Sequence, residues 1–363
     1  MKDLRSDAIN KRIKNLRSKL AENNTDCALV LKRENYIYLS GFTGTSAVLL
    51  ITRKEAFLIT DFRYVEQAGL EAPSYQIIKY QGSLKAAISD LLNNIKVKTL
   101  GIEEDYIAHS LYEEYKVAFS MVELVPLKRS IEDLRIVKDA YELEIIKKAV
   151  EIADNAFSHV LTLIKPGITE SEVAAELEYS MKKQGARGPS FDTIVASGKR
   201  AAMPHGVAST KKLEKGDVIT LDFGAIYQDY CSDMTRTVFL GPPHDELKKI
   251  YNIVKKAQQT SLEGAYKGLK GFEVDRISRE IISENGYGDY FGHGLGHGVG
   301  LEIHEEPRFS PSGNLTMDNG MVVTVEPGIY LENLGGVRIE DIIVIKDNNP
   351  EILTKSTKEM IIL

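Results

Sequence analysis

The sequence predicts an α+β domain preceded by a smaller α/β domain. Two observations lead to this fold class. Up to about Pro126, helical and strand-like segments alternate, which is typical of an α/β domain. After Gly185, short segments rich in β-branched residues lie on both sides of long helices, which is typical of an α+β domain. The length of 363 residues suffices for two domains, and we expect them to span residues 1–130 and 131–363.

The smaller domain is predicted to begin with a helix over residues 6–23, where apolar residues recur at helical spacing. A buried strand follows at Cys27–Leu31. Further strands are predicted at Ala47–Ile51, Glu55–Ile59 and Thr99–Glu103, the first two forming a hairpin. Further helices are predicted at Val65–Leu70, Leu84–Leu92 and Ser110–Phe119. This part of the sequence has no concentration of His, Asp and Glu at metal-like spacing.

The larger domain is predicted to start with a helix over Asp139–Leu163, which ends before Pro166 and Gly167. Thr169, with Glu172 three residues later, predicts a capping box at the start of a helix over 170–184. Strands are predicted at Val218–Asp222, Thr235–Leu240, Met321–Val325 and Asp341–Ile345, and helices at 244–268 and 272–285.

Composition narrows the class of protein. The net charge of −6 argues against general nucleic-acid binding, and no apolar run is long enough to cross a membrane. The charged N-terminal stretch lacks the apolar centre of a signal peptide. The only two cysteines, Cys27 and Cys231, form neither a disulfide framework nor a zinc-finger pattern. We therefore expect a cytoplasmic protein.

Four carboxylates stand at the ends of strand-like segments: Asp222, Asp233, Glu326 and Glu340. If the chain reverses at Tyr227–Gln228, Asp222 and Asp233 lie opposite each other on neighbouring strands, with Cβ atoms within about 5 Å. Like charges so placed are costly unless a cation lies between them. A lone acidic residue at a strand end is ordinarily solvated, but four in such settings indicate a cation site.

Four histidines in the second half lie beside Gly, Pro or Glu: His205, His293, His297 and His304. Any one of them alone would ordinarily be a hydrogen-bonded structural histidine. The run GHGLGHGVG could be a flexible turn or a phosphate loop. It matches neither the dinucleotide nor the Walker pattern, and the sequence has no His-Glu-x-x-His motif.

The charges of these residues indicate the metals. Four carboxylates balance two divalent cations, with one neutral imidazole as the nitrogen ligand. A cage made mostly of oxygen favours Mn²⁺, with Co²⁺ or Fe²⁺ as alternatives. Two such cations would hold a bridging water, lower its pKa and polarise a carbonyl, so the predicted reaction class is hydrolysis.

At these residues the sequence resembles the pita-bread metallopeptidases, which include methionine aminopeptidase, aminopeptidase P and prolidase (Xaa-Pro dipeptidase). The segments SDMTRT, GHGLGHGVGLEIHEEP, TVEPGIY and GGVRIED are similar to the Xaa-Pro branch of this family. The segments SGFTG (40–44) and TDFRY (60–64) resemble the smaller N-terminal domain of that branch, which methionine aminopeptidase lacks.

The resemblance implies a pita-bread catalytic domain, a homodimer and specific roles for nine residues. The metal ligands would be Asp222, Asp233, His297, Glu326 and Glu340, with Glu326 also taking the proton of the attacking water. The outer histidines, His205, His293 and His304, would position the substrate and stabilise the oxyanion. Arg338 would lie on the substrate side.

The implied function is metal-dependent hydrolysis of the Xaa-Pro bond in a proline-containing di- or oligopeptide, by a water that bridges the two metals. Chain length and flanking motifs favour Xaa-Pro dipeptidase over aminopeptidase P, which acts on longer peptides. Methionine aminopeptidase is disfavoured by the N-terminal domain. A non-catalytic pita-bread binding protein is disfavoured because the ligand set has no gaps.

Overall fold

A computed structural model describes residues 2–363, with side chains from Leu4 onward. The chain divides into two units, Met1–Arg135 and Ile136–Leu363. Among the described residues, none of the helices combines the length and the apolar character that a membrane span requires.

The first unit is a mixed sheet with helices between its strands. Its helices are α1 (Lys2–Glu22), α2 (Arg33–Ser40), α3 (Val65–Glu71), α4 (Leu84–Ile95), α5 (His109–Ala118) and α6 (Glu132–Arg135). Its strands are β1 (Cys27–Val30), β2 (Ala47–Thr52), β3 (Ala56–Thr60), β4 (Gln76–Lys79), β5 (Thr99–Ile102) and β6 (Glu123–Pro126). The strand order is β4-β3-β2-β1-β5-β6, with β1, β2 and β3 antiparallel and the outer pairings parallel.

The second unit contains four long helices and fourteen strands within the described residues. The helices are α7 (Ala140–Val160), α8 (Glu170–Lys183), α9 (Asp245–Gly264) and α10 (Gly271–Glu284). The strands are β7 (Gly188–Pro189), β8 (Ile194–Ser197), β9 (Val218–Phe223), β10 (Ala225–Tyr227), β11 (Tyr230–Cys231), β12 (Met234–Phe239), β13 (Gly296–Gly298), β14 (Glu305–Phe309), β15 (Val322–Val325), β16 (Gly328–Leu331), β17 (Gly335–Arg338), β18 (Asp341–Val344), β19 (Glu351–Ile352) and β20 (Ile361–Ile362).

The second unit has two hydrophobic cores, one for each pair of long helices. Apolar residues of α7 and α8 pack on β8, β9 and β12. Apolar residues of α9 and α10 pack on β15, β17 and β18. These four segments form helices because their apolar residues recur at helical spacing and so lie on one face. The predicted capping box at Thr169 and Glu172 is present at the start of α8.

These two halves repeat a local pattern. In each half, a glycine with positive φ, Gly216 or Gly320, precedes an apolar strand, β9 or β15. Asp222 and Glu326 each stand at the sixth position after that glycine. Each strand then pairs with an antiparallel partner, β12 or β18. The repeat therefore places two acidic residues at equivalent strand ends.

Candidate metal centre and substrate cavity

The first two predicted carboxylates lie on the strand pair β9 and β12. The register places Thr235, not Asp233, opposite Asp222, so the predicted direct opposition of Asp222 and Asp233 is wrong. The reason is the turn, which occupies Gln228–Asp229, both with positive φ, one residue later than the expected Tyr227–Gln228. Moving a hairpin turn by one residue shifts the pairing by two. Since side chains two residues apart share a face, Asp233 still lies on the face of Asp222, diagonally across from it.

The other two predicted carboxylates lie on the strand pair β15 and β18. Glu326 follows β15 and Glu340 precedes β18. The pairing of Val325 with Asp341, continued by one residue, brings Glu326 opposite Glu340. Thr235 joins this pair to the first one. Its hydroxyl donates to Glu340 Oε2 at 2.7 Å, and its carbonyl accepts from the Glu340 N–H at 3.1 Å.

His297, the central residue of β13, points into the same cluster. Its Nδ1 lies 3.1 Å from the Gly298 carbonyl, and a proton there leaves Nε2 able to bind a metal. Nε2 is 3.3 Å from Glu326 Oε1 and 3.6 Å from Asp233 Oδ2. Thr324 orients two of these groups, because its hydroxyl accepts from the His297 N–H and donates to Glu326 Oε1, both at 3.0 Å.

The cluster fits divalent cations. Within the described chain, Asp222 Oδ1, Asp233 Oδ1 and Glu340 Oε1 are buried and have no hydrogen-bond partner. Ligand atoms of Asp233, His297 and Glu340 all lie within 4.8 Å of one another. Buried carboxylate oxygens without partners are costly, and a metal ion would satisfy them. Several carboxylates with one imidazole form a donor set suited to Mn²⁺ and related cations.

The pKa shifts of the four carboxylates also indicate a cation site. Burial, reinforced by neighbouring negative charges, raises the pKa of Asp233 and of Glu340 well above the ordinary range. Burial also raises the pKa of Asp222, although the nearby Arg338 opposes it. For Glu326, burial raises the pKa, but the hydrogen bond and positive charge of His297 outweigh it and bring the pKa to about 2. A cation is needed for all four groups to be ionised at neutral pH.

Arg338 links a carboxylate of the cluster to an outer histidine. Its guanidinium pairs with Asp222, donates to Thr235 Oγ1 at 3.0 Å and donates to the Tyr330 hydroxyl at 2.9 Å. The same hydroxyl lies 2.9 Å from His293 Nε2. Arg338 therefore fixes the orientation of both Asp222 and, through Tyr330, His293.

The outer histidines differ in how they are held. His205 lies on an exposed loop. Burial lowers the pKa of His293. The His304 ring stands edge-on to His297, with ring centroids 4.4 Å apart, and makes no hydrogen bond within the described residues. Burial, followed by the charge of His297, lowers the pKa of His304 to about 4, so its ring is neutral at neutral pH.

A cavity of about 500 Å³ opens onto this cluster. All nine residues predicted from the sequence line it: Asp222, Asp233, His297, Glu326, Glu340, His205, His293, His304 and Arg338. Apolar side chains complete the wall, among them Phe191, Ile194, Val207 and Ile303. The cavity therefore combines charged groups at one place with an apolar surface beside them.

Sequence reasoning missed two functional candidates, Tyr330 and Arg308. Tyr330 is half-buried and contacts the lining residues His293 and Arg338, whereas Arg308 lines the cavity itself. Arg308 pairs with His297 across β13 and β14, so the two side chains leave the sheet on the same face. The signal for Arg308 was a basic residue in a strand-like stretch after His304. Without the pairing register, that signal does not indicate a site.

Comparisons with known proteins match both units. Residues 144–347 match metallopeptidase family M24, and residues 12–137 match the creatinase/prolidase N-terminal domain. An Xaa-Pro dipeptidase of Pyrococcus horikoshii is 43% identical over 98% of this chain and 100% of that protein.

Solved structures of related proteins have the same fold as this chain. The Xaa-Pro dipeptidase of Bacillus anthracis superposes with a TM-score of 0.96 at 48% identity, over 98% of this chain and 100% of that one. The X-Pro aminopeptidase of Thermotoga maritima superposes with a TM-score of 0.90 at 42% identity, over 94% and 98%. The predicted fold class, an α+β pita-bread domain after a smaller α/β domain, is confirmed. This chain belongs to metallopeptidase family M24.

Proposed function

We propose that this chain is an Xaa-Pro dipeptidase, or prolidase, which hydrolyses the bond between a first residue and a C-terminal proline. One observation carries the proposal: a single cavity holds both the carboxylate–imidazole cluster and the Arg308 guanidinium. The first can bind metals that activate water, and the second can bind a free carboxylate. The names of the relatives from Bacillus anthracis and Pyrococcus horikoshii support the proposal.

Arg308 favours a dipeptide over a longer peptide. Among the described residues, no group accepts a hydrogen bond from its guanidinium, so it can take a ligand. It is the cross-strand neighbour of His297, with Cβ atoms about 5 Å apart in such a pair. In Xaa-Pro the scissile carbonyl and the terminal carboxylate are separated by a single proline residue. One molecule can therefore bind the metal centre and Arg308 together.

For the metals, we propose two divalent cations held by Asp222, Asp233, His297, Glu326 and Glu340. Mn²⁺ is the preferred occupant and Co²⁺ the alternative, because the donors are mostly oxygen. When bound, such cations polarise the scissile carbonyl and lower the pKa of water.

The protein groups supply the remaining chemistry. Glu326 Oε1 lies 3.3 Å from His297 Nε2, and its carboxylate can accept a proton from the attacking water. The neutral His304 ring can donate an N–H to the oxygen that develops negative charge. Arg338 holds Asp222 in place, and Tyr330 holds His293. None of these steps uses an amide hydrogen on the substrate, which an Xaa-Pro bond lacks.

The test is hydrolysis of a small Xaa-Pro panel by metal-stripped protein reconstituted with Mn²⁺, Co²⁺ or Zn²⁺. We expect Ala-Pro to be hydrolysed with Mn²⁺ and faster than Ala-Pro-Ala. No hydrolysis of either peptide with any of the metals would refute the peptidase proposal. Faster cleavage of the tripeptide would instead favour aminopeptidase P, the alternative supported by the Thermotoga maritima relative.

We further propose that the protein is a cytoplasmic homodimer. Phe62 and Leu70 are each 78% exposed, and a partner surface would remove these apolar side chains from water. Cys27 and Cys231 are both free and buried, which fits a reducing compartment. Light scattering of the purified protein tests the dimer, and fractionation of the cells that produce it tests the location.

A further inference from the structure

A buried ion pair lies behind the segment that carries His304. Lys138 Nζ is 3.1 Å from Glu305 Oε2, and the two side chains are only 1% and 7% exposed. Lys138 is itself fixed, because its N–H donates to the Gly320 carbonyl at 2.9 Å. Glu305 follows His304 directly in the chain. The ion pair therefore ties the start of the second unit to the backbone beside His304.

Glu305 also closes the loop that leads to His304. Its Oε1 accepts from the Glu302 N–H at 3.0 Å, and the Glu302 carbonyl accepts from the Gly300 N–H at 3.0 Å. The loop folds closely around this carboxylate, since a Cβ on Gly300 would lie 2.6 Å from Glu305 Oε2. A displacement of Glu305 would thus move the whole loop.

His304 depends on this loop for its position. Its ring makes no hydrogen bond within the described chain and contacts another ring only at His297. The side chain is exposed to the cavity, so packing does not hold it. Its place is therefore set mainly by its backbone, which Glu305 holds.

Stability alone does not explain a buried ion pair, because replacing one with apolar residues is often neutral or stabilising. The places of the other buried ion pairs in this unit indicate that such pairs hold parts of the cavity wall in position. Outside the metal cluster, four ion-paired carboxylates among the described residues 136–363 are at most 7% exposed: Glu170, Asp275, Glu305 and Asp341.

The partner of each of the other three carboxylates also binds backbone that lines the cavity. Arg200, paired with Glu170, donates to the Val207 carbonyl at 2.7 Å, beside His205. Arg279, paired with Asp275, donates to the His293 carbonyl at 2.8 Å. Arg236, paired with Asp341, donates to the Glu340 carbonyl at 2.5 Å.

We propose that Lys138 is a positioning residue for His304 and acts through Glu305. This inference rests on the proposed function. The ion pair holds the 300–305 loop so that the His304 ring stays beside His297, where an N–H can reach the substrate carbonyl. Lys138 itself does not line the cavity.

The test variant is Lys138→Met combined with Glu305→Gln, which removes the pair without leaving a lone buried charge. This double variant is made in the wild-type and in the His304→Ala background. For each protein, kcat and KM are measured with Ala-Pro, and Co²⁺ affinity is measured by calorimetric titration. We expect kcat to fall about 10- to 100-fold, the scale for misplacing a reacting group by about 1 Å. In the His304→Ala background we expect no further fall, and Co²⁺ affinity should not change. Equal reductions in both backgrounds, or an unchanged kcat, would overturn the proposal.

A second readout does not depend on hydrolysis. In Co²⁺-loaded protein with labelled histidine, the His304 ring resonances are shifted by the nearby metal, and we expect that shift to change in the variant. If the wild type does not cleave Ala-Pro, the proposed function is refuted. The change in the His304 resonance shift then still tests whether Lys138 positions His304. The matched control is the exposed pair Lys147–Glu351, 2.8 Å apart, altered to Met and Gln, which should leave kcat and the shift unchanged. If the double variant does not fold, Lys138→Arg is measured instead, in the wild-type and His304→Ala backgrounds. The same results then support or overturn the proposal.

Discussion

Asp233 shows, at the scale of single residues, a charge conflict that a divalent cation would resolve. Its carboxylate is buried, near Asp222 and Glu340, and has an oxygen without a partner in the described chain. In metal-free protein its pKa is raised well above the ordinary value near 4. Such a group costs stability when it must ionise, so it opposes folding at neutral pH unless a metal is bound.

The change Asp233→Asn should therefore have opposite effects on activity and on metal-free stability. Hydrolysis should fall to background, because a proposed metal ligand is lost. Metal-free wild type should lose stability as the pH rises above about 4, through the raised pKa of Asp233, and the variant should lose less. Urea unfolding of chelator-treated proteins at about pH 5 and pH 8 measures this. A variant with wild-type turnover would show that the cluster is misassigned.

His304 tests the role of the outer histidines. Removing its ring with His304→Ala should lower kcat for Ala-Pro by about 10²–10³, the scale for losing one oxyanion donor, with little change in KM. Steady-state kinetics with Mn²⁺ measures both constants. An unchanged kcat would remove His304 from the chemistry.

Arg308 tests the size of the substrate. A hydrogen-bonded charge contributes about 1.5–3 kcal/mol, so Arg308→Met should raise KM for Ala-Pro about 10- to 100-fold. KM for Ala-Pro-Ala should change much less, since its carboxylate lies one residue further on. Arg276→Met, at an exposed position of α10, is the control. An equal rise in KM for both peptides would contradict the proposed role of Arg308.

At the scale of elements, the sequence predicts best where apolar runs are long. Strands β9, β12, β15 and β18 lie within a residue or two of their predicted bounds, because β-branched residues favour buried strands. Helix α2, Arg33–Ser40, was missed because six of its eight residues are buried, which leaves no amphipathic period to detect. Strand β13 was missed because two of its three residues are glycine, which is depleted in strands.

The pairing between strands was harder to predict than the strands themselves. Two residues at the turn, Gln228 and Asp229, decided whether Asp222 faces Asp233 or Thr235. The same limit hid Arg308, whose role depends on its pairing with His297. Patterns within one segment identify candidate ligands, whereas contacts between segments depend on register.

Strand β12 supports the cluster through Arg236, a residue 1% exposed. Its guanidinium donates to the carbonyls of Thr235 and Glu340 and pairs with Asp341 at 2.7 Å. Groups that orient metal ligands typically change metal affinity 10- to 100-fold when they are lost. We therefore expect Arg236→Met to weaken Mn²⁺ binding by about that factor.

Calorimetric titration of metal-stripped protein measures the affinity. The control is Lys255→Met, which removes an ion pair with the 77% exposed Glu359 and should leave Mn²⁺ affinity unchanged. If Arg236→Met folds and binds Mn²⁺ as the wild type does, Arg236 does not orient the cluster.

At the scale of the whole molecule, the candidate ligands come from both halves of the second unit. Asp222 and Asp233 belong to the half built on α7 and α8, whereas Glu326 and Glu340 belong to the half built on α9 and α10. In the absence of metal, the carboxylates of the two halves cannot all be ionised at neutral pH, because each negative charge opposes the others. A bound metal would ionise them and form bonds that join the two halves.

Metal removal should therefore loosen both halves together. A ligand present at 100 times its Kd stabilises the folded state by about 2.7 kcal/mol, and a chelator removes that contribution. We expect amide hydrogen exchange to speed up in β9 and β12 and equally in β15 and β18 after chelation, while the strands of Met1–Arg135 are unchanged. Exchange measured by mass spectrometry, with Mn²⁺ added back as the control, resolves these peptides. Faster exchange in only one half would mean that the metal does not join them, because a shared site must couple the strands on both sides.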